Sequence, residues 1–261
     1  MSILGWDQMA DWWDQHLGDD GDLWHRALID PPLFRLVGEV NQLHVLDLAC
    51  GNGYLSRRFA HQGAIVTGVD ANAPIVERAR ARQAQEPQGI IYHVSDAANL
   101  QMLKDNSFDL VVCNMGLMDI ENAAGAIEEV ARVLRSKGRF VASLAHPCFD
   151  KVNTSGWQIE RISSRTATVW RKMSRYREIT TDVLPWTTVS DQIVYTPVYH
   201  RPLSWYFQTL RASGLVVAAV EEPEPTEEFL LASESQGPWI AEIPLHCVIE
   251  AWKIHKEALP E

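Results

Sequence analysis

The chain is 261 residues long and 46% hydrophobic, enough to bury a full core in one large domain. Its 34 acidic and 23 basic residues leave a formal net charge of −11, which argues against the phosphate-neutralising surface of a nucleic-acid binder. Nowhere do about 18 apolar residues run uninterrupted, and the opening MSILGWDQMADWWDQHLG carries acids without a basic leader, so a cytoplasmic protein with no membrane partner is expected.

Residues 1–40 read as two helices, WDQMADWWDQHL and DLWHRALIDPPLFRLVGEV, carrying Trp6, Trp12, Trp13 and Trp24. From residue 43 short β-rich runs alternate with helical ones. HVLDLAC (44–50) precedes GYLSRRFAHQG, a helix that Gly63 closes. IVTGVDA (65–71) precedes NAPIVERARARQAQ, with Asn72 as N-cap and Pro74 in the first turn. IIYHVSDA (90–97) and FDLVVCNMG (108–116) follow, then a long amphipathic helix, ENAAGAIEEVARVLRSKG, closed by Gly138, and a fifth strand, RFVASLA (139–145). Near-continuous apolar strands alternating with helices indicate an α/β fold whose parallel sheet is covered on both faces. Residues 147–200 interrupt this pattern with β-type runs rich in Trp and Tyr. It resumes as the helix PLSWYFQTLRASG and the strands LVVAAVEE and PLHCVIEAWKI. Only a loop is expected between these last two strands, so the final one should return antiparallel. The four cysteines, Cys50, Cys113, Cys148 and Cys247, are far apart and form no CxxC pair. They read as free thiols, and neither a metal site nor a disulfide framework is indicated.

Ligands of open α/β sheets bind outside the carboxyl ends of the strands. After the first strand comes Gly51-Asn52-Gly53, where absent side chains and helix N-terminal amides admit a ligand. Asp70 closes the second strand, where a carboxylate can accept both hydroxyls of an adenosine ribose. Asp96, ending the third, suits an exocyclic amine such as adenine N6. A dinucleotide fits less well, because Ser56 stands where the GxGxxG fingerprint wants a third small residue. Asp47 would also face a pyrophosphate across a short gap. A ligand with a positive group there is preferred, and S-adenosyl-L-methionine has an ammonium and a sulfonium.

The runs VLDLACGNG, VTGVDAN, SDA, FDLVVCNMGLMDIE and EEVARVLRSKGRFVASLAHP resemble the class I S-adenosylmethionine-dependent methyltransferases. Within that class they are most similar to the small-molecule group that includes the ubiquinone and menaquinone biosynthesis enzymes. The likeness covers roughly residues 43–148 and resumes at YHRPLSWYFQTLRASGLVVAAVEEP. It implies a Rossmann-like seven-stranded sheet of order 3-2-1-4-5-7-6 with the last strand antiparallel. A single domain 1–261 would comprise an N-terminal helical lid (1–40), a cofactor core (43–146), an aromatic insertion (147–200) and the rest of the core (201–256). The family's first glycine is Ala49 here. Carried over, Asp47, Ala49, Gly51 and Gly53 line the methionine moiety, Asp70 and Ala71 the ribose, Asp96 and Ala97 the adenine. Asn114 contributes near the amino-acid end.

Methyl transfer is an in-line displacement, so the protein supplies chiefly alignment. A base is useful only where the nucleophile must lose a proton. His146, after the fifth strand in SLAHPC and before Pro147, is the candidate base, with His200 second. Trp13, Trp157 and Tyr199 are the aromatic candidates for a small, apolar or aromatic acceptor. Alternatives are an enzyme of the same fold that uses the cofactor without methyl transfer, as a decarboxylase or cyclase, an RNA or protein methyltransferase, and a nicotinamide oxidoreductase. The acidic charge and CNMG in place of an NPPY-like motif oppose the RNA reading, and Asp47 with Ser56 opposes the last. A monomer or a homodimer fits equally.

Overall fold

The computed structural model describes residues 5–161, 167–187, 193–233 and 237–254. The remainder of the expected lid (1–4), insertion (162–166, 188–192), final loop (234–236) and last segment (255–256) lies outside the described residues.

The central sheet comprises β1 (His44–Leu48), β2 (Ile65–Asp70), β3 (Ile91–Val94), β4 (Phe108–Asn114), β5 (Leu134–Ala145), β10 (Leu215–Glu221) and β11 (His246–Lys253). Its order is β3-β2-β1-β4-β5-β11-β10. The first five strands are mutually parallel, and β11 runs antiparallel to both β5 and β10. Discounting the strands of the insertion, this is the topology expected. Alternation along β1 sends Leu46 and Leu48 to one face and Val45 and Asp47 to the other. Leu46 and Leu48 join a core with Val111 and Phe140 beneath α5 (Ala123–Val133) and α6 (Leu203–Ala212). Val45 packs with Val112 and Val141 beneath α2 (Asp30–Val37), α3 (Tyr54–His61) and α4 (Ala73–Gln85).

Local chemistry sets most of the boundaries. Gly63 (φ +86°) ends α3 with amide bonds from Gly63 to the Ala60 carbonyl, 2.9 Å, and from Ala64 to that of Phe59, 3.1 Å. The Asn72 side chain caps α4 by accepting the Ile75 amide, 3.0 Å, and Asn122 caps α5 through Gly125, 3.0 Å. Two expectations need correction. The fifth helix stops at Val133, because the chain turns extended at buried Leu134 and pairs it with Phe108, so β5 begins before Gly138. The connection from β10 to β11 holds two short helices, α7 (Glu227–Ala232) and α8 (Gly237–Glu242), anchored by buried Phe229 and Ile240.

Before α2 the helix widens into a π turn, His25–Ile29. Pro31 and Pro32 have no amides to return to the Ala27 and Leu28 carbonyls. The Asp30 amide bonds back to His25 O instead, while Ala27 O accepts the Thr226 hydroxyl, 2.8 Å, and amide, 3.3 Å. The insertion is two antiparallel hairpins, β6 (Ser155–Arg161) with β7 (Ala167–Met173) and β8 (Thr180–Thr187) with β9 (Ile193–His200). Trp186 of β8 meets Trp6, Trp12 and Trp13 of the N-terminal helices at centroid distances of 6.2, 5.8 and 5.4 Å, joining the two covers over the strand ends. No described helix is long and apolar enough to cross a membrane.

Candidate functional site

The turn after β1 places Ala49 (φ +57°), Gly51 (φ +54°) and Gly53 (φ +75°) in the left-handed region. Glycine adopts that region freely, whereas Ala49 pays about 1–2 kcal/mol for it. The Ala49 methyl occupies space that a Cβ on Gly116 would need, 2.7 Å away, so the two positions are complementary in size. A Cβ on Gly53 would fall 2.3 Å from the Tyr92 hydroxyl, whereas one on Gly51 meets only Trp13, at 3.9 Å. Gly51 is therefore open to a ligand and Gly53 is filled from below.

Beside this turn lies a cavity of about 550 Å³. Asp47, Ala49, Gly51, Asp70, Ala71, Asp96, Ala97 and Asn114 all line it, while Gly53 does not and serves as the left-handed residue preceding α3. Asp70 Oδ2 accepts the Gly51 amide and Oδ1 the Asn72 amide, each at 2.9 Å, so this acid also fixes the turn. Asp47 is fully buried and accepts the Ser56 hydroxyl at 2.5 Å. Burial pushes its pKa up to about 7 against that hydrogen bond. Burial likewise raises Asp70 and, well above the ordinary range, Asp119. The Asp119 carboxylate has no hydrogen-bond partner among the described residues, and Asn122, not Asp119, caps α5. Asn114 Nδ2 reaches the Tyr54 hydroxyl, 2.6 Å, which donates to buried Asp30, 3.1 Å, itself paired with Arg58 at 2.5 Å.

A second cavity of about 480 Å³ adjoins the first beneath the N-terminal helices and the β8–β9 hairpin. Trp6, Trp13, His25, Met115 and Asp119 are common walls of the two. Tyr199, His200 and Trp13 line the second cavity. His146 and Trp157 do not. His146 Nδ1 accepts the Cys148 amide, 3.2 Å, and Nε2 pairs with Glu222, 3.0 Å, so both ring nitrogens are committed outside the cavity. Trp157 packs against Trp239 at 5.6 Å with the Arg171 guanidinium over its ring. His200 Nε2 bonds the Tyr176 carbonyl at 2.8 Å, and burial lowers its pKa.

Sequence reasoning singled out neither Asp22 nor Trp186 as a cavity residue. Asp22 precedes the helix as its cap, and its Oδ1 accepts both the His25 amide, 2.9 Å, and His25 Nδ1, 2.8 Å. The D-x-x-H spacing at a helix start was the available signal.

S-adenosylmethionine suits the first cavity by donor set. Its described walls hold Asp7, Asp47, Asp70, Asp96, Asp119 and Glu121 and no Lys or Arg. A pyrophosphate would meet no counter-charge there, whereas a sulfonium and an ammonium would meet several.

Sheet order and glycine turn are those of the Rossmann-like methyltransferase fold. Residues 46–142 match the family model of the methyltransferase domain. Over 103 residues, 38% of this chain and 41% of the relative, it is 35% identical to a demethylmenaquinone methyltransferase of Leptospira interrogans. Over 141 residues, 52% and 58% of the two chains, it is 30% identical to a ubiquinone biosynthesis O-methyltransferase of Coxiella burnetii. The chain thus spans about half the length of the curated relatives it matches. A solved S-adenosylmethionine-dependent methyltransferase from Mesorhizobium loti superposes with a TM-score of 0.68 at 28% identity, covering 85% of this chain and 96% of that one.

Proposed function

We propose that the protein transfers a methyl group from S-adenosylmethionine, held at the glycine turn, to a small acceptor held in the adjoining cavity. The observation that carries this reading is the shared wall: the cavity beside the glycine turn has Trp6, Trp13, His25, Met115 and Asp119 in common with a second cavity under an aromatic cover. Asp70 would hold the ribose and Asp96 the adenine, with Asp47 and Asp119 facing the positive end. When bound, the cofactor supplies a carbon already activated for displacement.

The acceptor cavity favours a neutral, flat, largely apolar molecule. Trp6, Trp13, Trp24, Trp186 and Tyr199 supply faces, with Met115, Met118 and Leu184 between them. Both basic side chains of its wall are engaged. Lys151 Nζ donates to the Arg175 carbonyl, 2.7 Å, and Arg201 to those of Ile120, 2.8 Å, and Glu121, 2.7 Å. With Asp22, Asp119, Asp150 and Asp182 on the same described wall, a carboxylate or phosphate acceptor would meet more acids than Lys and Arg there. Incubation of the protein with S-adenosylmethionine and a panel of neutral phenols, enols and amines should yield S-adenosylhomocysteine and a methylated product by mass spectrometry. Tight cofactor binding with no such product from any of them would overturn methyl transfer to this acceptor class.

A further inference from the structure

Four described histidines border the acceptor cavity, and their ring nitrogens differ in what they are free to do. His16 is half exposed, stacked on Trp12 and bound through Nε2 to Asp22 at 2.8 Å. His200 gives Nε2 to a backbone carbonyl. His246 has Nδ1 buried without a partner, and burial drives its pKa down to about 3, so it stays neutral. His25 alone lines both cavities, where the transferred group must cross.

Its ring is held in one orientation. Asp22 Oδ1 takes Nδ1 at 2.8 Å, and Nε2 makes no hydrogen bond among the described residues. Burial works against the Asp22 charge, but hydrogen bonds from His16 and His25 outweigh it and hold its pKa well below the ordinary value. An ionised Asp22 puts the proton on Nδ1 and leaves the Nε2 lone pair open. Gly21 (φ +85°) makes the placement steric as well, since a Cβ there would stand 3.0 Å from that of His25. The π turn that begins at His25, forced by two prolines and tied to Thr226, fixes the backbone beneath it.

The geometry points to His25 as the general base for a hydroxyl acceptor, with Asp22 as its positioning residue; the inference rests on the methyl-transfer reading. The acceptor oxygen forms its bond to the methyl carbon as the carbon–sulfur bond breaks with its electron pair on sulfur. The hydroxyl proton passes to Nε2, so the positive charge leaving the sulfonium ends on an imidazolium facing Asp22. The groups around that ring are Asp22 and His16 from the N-terminal segment, Asp30 from α2, Tyr54 from α3 and His246 from β11. A neutral phenol needs such a base, whereas a phenol already ionised in solution does not.

The probes are substituted phenols graded in acidity, from weakly acidic alkylphenols to 4-nitrophenol ionised at the assay pH. His25→Gln should lower S-adenosylhomocysteine formation by about 10²–10⁴-fold with the weakly acidic members. With 4-nitrophenol the loss should shrink below about tenfold. Asp22→Asn, close in size, should show a smaller loss with the same dependence on acidity, carried by kcat and not by KM. A readout without turnover is the absorbance of 4-nitrophenol bound to the S-adenosylhomocysteine complex at a pH below its pKa. It should report phenolate in the wild type and neutral phenol in His25→Gln. Equal losses across the panel, no loss, or identical spectra would overturn the base while wild-type turnover left methyl transfer standing. If the wild type makes no S-adenosylhomocysteine from any phenol, methyl transfer to hydroxyls fails and the base fails with it.

Discussion

At the proposed cofactor site, Asp47 is a single buried acid through which ligand binding and protonation should be coupled. Its folded pKa of about 7 lies above the ordinary 3.8, mainly through burial, with Asp70 adding repulsion. Between those values the folded chain holds a proton that the unfolded chain has released. The stability this group confers is therefore complete below pH 4 and is lost as the pH rises through 7. A cationic ligand favours the carboxylate, so S-adenosylmethionine affinity should rise across this window with release of a proton. Titration calorimetry in buffers of different ionisation enthalpy measures that proton. Asp47→Asn should flatten the pH dependence, stabilise the ligand-free protein above pH 7 and weaken cofactor binding. Ala49 and Gly116 form a second test at this scale. Gly116→Ala sets a methyl 2.7 Å from the Ala49 methyl and 2.9 Å from Cys113 Sγ, and should cost about 1–3 kcal/mol. Ala49→Gly removes one of these clashes and the left-handed strain together. The double variant should therefore recover part of the loss in a denaturation cycle.

At the scale of elements, the N-terminal helices and the β8–β9 hairpin are joined by Trp186 against Trp6, Trp12 and Trp13. Trp186 lines the acceptor cavity and not the cofactor cavity. Trp186→Ala should raise the acceptor KM about tenfold or more, the equivalent of roughly 1.4 kcal/mol of lost contact. Cofactor affinity by calorimetry should change less than about twofold, within 0.4 kcal/mol. What was legible in sequence divides along the same line. Caps at Asn72 and Gly63 and the apolar run of β1 are local, and they were read correctly from neighbours in the chain. The π turn depends on Thr226 bonding the Ala27 carbonyl, 199 residues away, and the Trp13–Trp186 contact on two covers meeting in space. No local pattern encodes such partners. His146 stands at a strand end, as its sequence position shows, yet its direction is set by Glu222 across the sheet.

Across the whole molecule, the parallel strands carry Asp47, Asp70 and Asp96 to one edge, and the segments outside the sheet build the proposed acceptor cavity over it. The alternating apolar strands made the first part readable. The second was not, because it is formed by contact between residues 6–25 and 182–200, which share no register. The same division predicts how substitutions separate: Asp70→Ala should weaken cofactor binding by tenfold or more, about 1.4 kcal/mol, through loss of both the ligand contact and the Gly51 and Asn72 amide anchors. The most direct test of the account is calorimetric titration of the purified wild-type protein with S-adenosylmethionine, S-adenosylhomocysteine and NAD. Binding of the two adenosyl ligands at one site, without NAD, is the result predicted by a cavity that holds six acidic side chains and no Lys or Arg among its described walls. Binding of NAD, or of none of the three, would contradict it.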